Sequence, residues 1–159
     1  MGKIRIISIN RSDKKGTVKK PMRQAILRRN WGLVGDAHGG LSRRQVSLLG
    51  IENIRKFMVR IAKLKRCKSA KFKIGPGDFA ENITTGGFDL NSLPMGTKLK
   101  LGNRAVIEIT QRGKACHTKC EIRKLVGNCI MPKEGLFARV ISGGKIKVGD
   151  PIEIERESL

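Results

Sequence analysis

The feature that most constrains this chain is the repeated interruption of short β-prone runs by glycine-containing turns. Lys3–Ile9 sets apolar Ile4, Ile6, Ile7 and Ile9 among polar residues, the pattern of a half-buried strand. Gln45–Leu49, Phe79–Thr84, Thr97–Leu101, Ala105–Thr110, Phe137–Ser142 and Pro151–Ile154 read the same way, with Gly143-Gly144 and Gly149-Asp150 as turn signals between them. One stretch breaks the pattern. Ile51–Leu64 places apolar residues at 51, 54, 57, 58, 61 and 64, the spacing of an amphipathic helix. Residues 17–35 are ambiguous, with Gln24–Arg29 compatible with one helical turn before Gly32 and Gly35. Helices do not alternate with strands, which argues against a doubly wound sheet. The expected fold class is mainly β, a closed or partly closed β-barrel with one or two peripheral helices. With 159 residues, no internal repeat and no low-complexity linker, residues 1–159 are expected to form a single domain with one sizeable core.

Charge narrows the partners. The net charge is +21, and residues 1–72 carry most of the excess, with 20 basic residues against 3 acidic ones. Such a balance suits an anionic partner, although a solvated, highly soluble surface explains it equally well. Nucleic acid ranks low, because five Phe, one Trp and no Tyr make a poor stacking platform. No apolar run reaches the 18 or more residues of a membrane span, and no secretory h-region follows Met1. A cytoplasmic protein with reduced thiols is the expectation.

Three of the four cysteines, Cys116, Cys120 and Cys129, fall within fourteen residues; the fourth is Cys67, in a basic run. The segment Gly113-Lys114-Ala115-Cys116-His117-Thr118-Lys119-Cys120 follows an expected strand, a good position for a functional loop. Lys114, His117 and Lys119 favour the thiolate of Cys116, making it a better nucleophile and a better metal ligand. The spacing C-H-x2-C-x8-C is not a common zinc pattern, since adjacent ligands strain a tetrahedral site. It is also neither the C-x-x-C of a redox pair nor the C-x-x-C-H of haem attachment. Two further segments are rich in turn residues. Gly32–Gly40 places Asp36 and His38 in a glycine-rich loop that lacks the Gly-Lys-Ser/Thr ending of a Walker loop. Gly75–Thr84 carries Asp78, Glu81 and Asn82 at the start of a strand, where they orient a ligand or close a turn.

Taken together, GLVGDAHGG at 32–40, RQVSLL at 44–49, PGDFAENITTGGFDL at 76–90, LPMGTKLKLG at 93–102, GKACHTKC at 113–120, IMPKEGLFARV at 130–140 and VGDPIEI at 148–154 resemble the MOSC domain. This module is named for the C-terminal part of molybdenum cofactor sulfurase. The resemblance covers essentially the whole chain, in the family's order, and is closest to the short stand-alone members. It implies a barrel-like fold and a cleft for molybdenum cofactor (molybdopterin), used for sulfur handling or for a reduction. The key cysteine, as molybdenum ligand or sulfur acceptor, falls at Cys116. A thiolate is a suitable soft donor for such a metal. Cys120 is a second candidate ligand and His117 a candidate cofactor contact, both matching only part of the family. Arg112, Lys114, Lys119 and Arg139 are the expected phosphate contacts, with Asp36, His38, Asp78, Glu81 and Asn82 lining the pocket. The implied partners are the cofactor itself and a cofactor-biosynthesis protein or molybdoenzyme. A non-catalytic carrier that delivers the cofactor is the alternative, and a basic nucleic-acid-binding β-barrel comes third. Pyridoxal phosphate is not expected, because its lysine belongs to the desulfurase part of the full-length sulfurase. The sequence departs from many relatives at Leu41-Ser42-Arg43, where a small-aromatic-His lead-in is usual, and in the density of Lys and Arg over 55–73.

Overall fold

A computed structural model describes residues 3–63, 74–114 and 129–155. Eleven strands are present among them: β1 (Arg5–Arg11), β2 (Lys20–Met22), β3 (Gln24–Arg28), β4 (Gly32–Leu33), β5 (Val46–Gly50), β6 (Ile83–Gly86), β7 (Lys98–Leu101), β8 (Ala105–Arg112), β9 (Leu136–Ser142), β10 (Gly144–Lys147) and β11 (Ile152–Glu155). Two α-helices accompany them, α1 (Ile51–Lys63) and the single turn α2 (Met131–Glu134). The protein is mainly β, as its glycine-punctuated runs imply.

The large sheet runs β11-β7-β8-β9-β5-β6-β1-β2. An antiparallel bridge between Arg5 and Pro151 joins β1 to the start of β11. Ile6 N–H donates to the Asp150 carbonyl at 3.0 Å and Ile152 N–H to the Ile4 carbonyl at 2.9 Å. The sheet therefore closes on itself, which removes the edges that an open sheet must protect. Its pairings are antiparallel except β5 with β6, and α1 lies in the connection between these two strands, as a parallel pair requires. The smaller sheet, β10-β3-β4, has its own hydrogen-bonded ladder and adds Ala25, Leu27, Leu33 and Ile146 to the core of the ring.

Inward residues of the ring, among them Ile6, Ile9, Leu48, Ile83, Leu99, Ile107, Ala138 and Val140, form the main core. A second cluster lies under α1. The helix buries Ile54 and Phe57 and exposes Arg55, Lys56, Arg60 and Lys63, as its spacing predicts. Glu52 in the first turn and Arg60 and Lys63 in the last complement the helix dipole. Phe57 meets Phe79 edge to face, with centroids 5.2 Å apart and planes at 87°, and Met131 and Phe137 belong to the same cluster.

Two local expectations are corrected. Gln24–Arg28 is a strand, not a helical turn. Ala25 and Leu27 point inward while Gln24, Ile26 and Arg28 face out, and pairing with β10 and β4 satisfies the backbone. The strand expected over Phe79–Thr84 begins only at Ile83. Gly77 and Ala80 both take positive φ, at 90° and 63°, so the preceding residues form a turn. A Cβ at Gly77 would overlap the Lys19 carbonyl, which makes glycine necessary there. The short strands β2, β4 and β10 carry no sequence signal that stands out.

Candidate functional site

The glycine-rich loop after β4, the turn before β6, the C-terminal end of β8 and the α2 region converge on one cleft of about 200 Å³. Its polar rim comprises Lys15, His38, Arg44, Ser47, Asn82 and Lys114, and Phe79, Met131 and Phe137 form much of its apolar wall. The helix-packing cluster thus supplies the wall, so packing under α1 holds the cleft in shape. No Asp or Glu lines it among the described residues. The Lys114 ammonium sits 5.9 Å and the Arg44 guanidinium 6.0 Å from the centroid of the Phe137 ring. Two cations share one ring, and an anion between them would relieve their mutual repulsion.

Behind His38 lies a buried ion pair. Lys19 Nζ is 2.7 Å from Asp36 Oδ1, and both side chains are fully buried. Asp36 also accepts from the backbone N–H groups of Ser12 and His38, each at 3.1 Å. Burial works against ionisation of Asp36, but the Lys19 ammonium and the backbone N–H of Ser12 outweigh it and hold the carboxyl well below the usual carboxylate range. Burial pulls Lys19 below the usual ammonium range, against the pull of Asp36.

Glu81 is buried one residue from the cleft wall. Burial pushes its carboxyl up to about 8, with the Asp78 charge adding to the effect and the hydrogen bond from Gly77 opposing it. One oxygen, Oε1, accepts from Gly77 N–H; the other, Oε2, has no hydrogen-bond partner among the described residues. Asn82 is committed to the fold. Its Oδ1 accepts from Ser47 N–H at 3.0 Å and its Nδ2 donates to the Asn10 carbonyl at 3.3 Å. Asn10 in turn donates to Thr84 Oγ1 and to the Glu81 carbonyl. This network ties β1, β5 and β6 together below the cleft.

Of the residues expected from sequence, the cleft brings together His38, Asn82 and Lys114, with Asp36 directly behind His38 and Glu81 beside the wall. Asp78 closes a turn, its Oδ2 accepting from Gly75 N–H at 2.8 Å. Arg112 and Arg139 do not line the cleft. Arg112 donates to the Leu93 carbonyl at 2.8 Å, and Arg139 is exposed, 3.3 Å from Glu108. Cys116, His117, Lys119, Cys120 and Cys67 lie outside the described residues, as does the basic run from Lys65 to Lys73. Sequence reasoning missed Lys15, Lys19, Arg44 and Ser47 as site residues. Arg44 and Ser47 lie within a matched motif, but Lys15 and Lys19 look like other lysines of a basic stretch. A larger groove of about 400 Å³, bordered by Glu52, Lys56, Asp89 and Glu134, contains none of the expected residues.

The fold and site define a mainly β barrel protein with a donor-rich, cation-rimmed cleft beside one turn of helix. The model of the MOSC domain matches residues 35–153, and the chain belongs to that family. Its structure is similar to the YuaD protein from Bacillus subtilis, at 20% identity and a TM-score of 0.78, covering 99% of this chain and 98% of that one. It is also similar to YiiM from Escherichia coli, at 20% identity and a TM-score of 0.67 (97% and 71% covered). For YiiM from Geobacillus stearothermophilus the values are 19% and 0.69 (98% and 77% covered). At such identities these likenesses establish the fold alone. No curated protein sequence matches significantly. No helix among the described residues is long and apolar enough to cross a membrane.

Proposed function

We propose that the protein binds molybdenum cofactor in this cleft, with Cys116 as the thiolate that ligates the metal or accepts sulfur. One observation carries the reading: Lys114 and Cys129, the residues that bound segment 115–128, both line the cation-rimmed cleft. Cys116 follows Lys114 by two residues in the sequence. The side chains present fit the group. Lys15, Arg44 and Lys114 suit an anionic phosphate, and the half-buried Cys129 adds sulfur to the cleft surface. When bound, the cofactor supplies a thiophilic metal centre. This chain's own part is to hold the anion on its cations and to exclude water along Phe79, Met131 and Phe137. Asn82 takes no direct part, since its polar atoms fix the strands that carry the wall.

The test is to purify the wild-type protein and the Cys116→Ser variant from cells that make the cofactor, then measure molybdenum by elemental analysis and pterin by fluorescence after oxidation. The expected result is near-stoichiometric pterin and molybdenum in the wild type. In the variant, molybdenum retention or sulfur transfer is lost while the circular dichroism spectrum is unchanged, because a hydroxyl is a far poorer soft-metal ligand. A wild-type protein with neither molybdenum nor pterin, and unable to take them up, would refute the proposal.

A further inference from the structure

We infer that Lys19 is a positioning residue that fixes the His38 tautomer, with the ring proton on Nε2, so that the ring presents a hydrogen-bond donor, not a base, to the cleft. An ammonium has three donors and no acceptor, and buried donors need partners. Lys19 Nζ has three neighbours within hydrogen-bond distance: Asp36 Oδ1 at 2.7 Å, Ser12 Oγ at 3.0 Å and His38 Nδ1 at 3.1 Å. Asp36 is ionised and can only accept. The Ser12 hydroxyl donates its own proton to the Lys14 carbonyl at 3.0 Å, so its oxygen accepts from Lys19. The third ammonium proton is left for Nδ1 of His38, which must then carry a lone pair.

A second acceptor makes this choice consequential. Asp36 Oδ2 is 3.5 Å from the same Nδ1. Without the ammonium, the ring would move its proton to Nδ1 and donate to that carboxylate, turning Nε2 into an acceptor. Lys19 therefore selects between two tautomers with opposite chemistry at the cleft. His38 is 30% exposed through its side chain and lines the cleft, and Nε2 has no partner among the described residues. With Lys15, Arg44 and Lys114 around it, an Nε2–H donor extends a set of groups suited to acceptor oxygens. An Nε2 lone pair would instead be a metal ligand or a base. The use of that donor rests on the proposed cofactor site; the tautomer itself does not.

The experiment is long-range nitrogen–proton correlation spectroscopy on the full chain labelled with 15N-histidine, at about pH 8, where neutral imidazole predominates. The protein has two histidines, so a His117→Gln spectrum assigns His38. The expected wild-type pattern is protonated Nε2 and unprotonated Nδ1. Lys19→Met should invert it, whereas Lys19→Arg, which keeps a cationic donor beside Asp36, should retain it. A wild-type His38 protonated at Nδ1 overturns the inference, as does a folded Lys19→Met variant with an unchanged pattern or an inversion in Lys19→Arg. The wild-type and Lys19→Arg spectra decide the matter even if Lys19→Met does not fold. The expected pattern in protein that holds no molybdenum or pterin supports this inference while counting against the cofactor reading, so the two fail separately.

Discussion

Replacing Glu81 by Gln should flatten a pH dependence of stability that the wild type carries between about pH 5 and 8. Burial raises the carboxyl from 4.5 in its ordinary state to about 8 in the fold. In that interval the unfolded chain has released the proton and the folded chain retains it. Unfolding therefore releases a proton, and stability falls as pH rises, reaching its low plateau above about 8. Each pH unit in the window is worth about 1.4 kcal/mol per proton, so between pH 5 and pH 7 the wild type should lose on the order of 3 kcal/mol through this group. Glutamine is close in shape, keeps an acceptor for Gly77 N–H and cannot ionise. Urea unfolding of both proteins at pH 5, 6, 7 and 8 isolates the effect, because other titrating groups cancel in the difference. The variant should be similar to the wild type or less stable at pH 5, where its amide is also poorly partnered, and should gain on the wild type steadily towards pH 8. A flat difference, or one that favours the wild type more as pH rises, would refute the assignment of a buried, protonated Glu81. Asp36 cannot mimic this trend. Its depressed folded value places its contribution above the ordinary carboxylate range and removes it only as pH falls below about 4.

Gly77→Ala should destabilise the protein by on the order of 3 kcal/mol by urea unfolding, because it combines a positive φ with an overlap against the Lys19 carbonyl. Asn82→Ala should cost about 3 kcal/mol in the same assay, since it leaves the buried Ser47 N–H and the Asn10 carbonyl without a main partner. Arg44→Ala and Lys114→Ala should each leave unfolding within about 0.5 kcal/mol of wild type while lowering the molybdenum and pterin retained on purification severalfold, measured together on the same sample.

Much of the fold follows from local pattern alone. The spacing of Ile54 and Phe57 against Arg55, Lys56 and Arg60 makes α1 helical and orients it before any partner is known. Alternation and bracketing turns likewise define β1, β7, β8 and β9, because backbone conformation and one-sided burial are properties of neighbouring residues. Gln24–Arg28 shows the limit. Its short run suits one helical turn as well as a strand, and only pairing with Gly144–Lys147, more than a hundred residues later, decides it. The same limit applies to the site. His38, Asn82 and Lys114 are legible because turn chemistry and motif place them, but Lys19 is one lysine among many until Asp36, Ser12 and His38 surround its ammonium. Glu81 reads as a turn carboxylate until the barrel removes it from water. Residue type and spacing are written along the chain, whereas desolvation and three-way hydrogen bonding arise only when distant segments exclude solvent together.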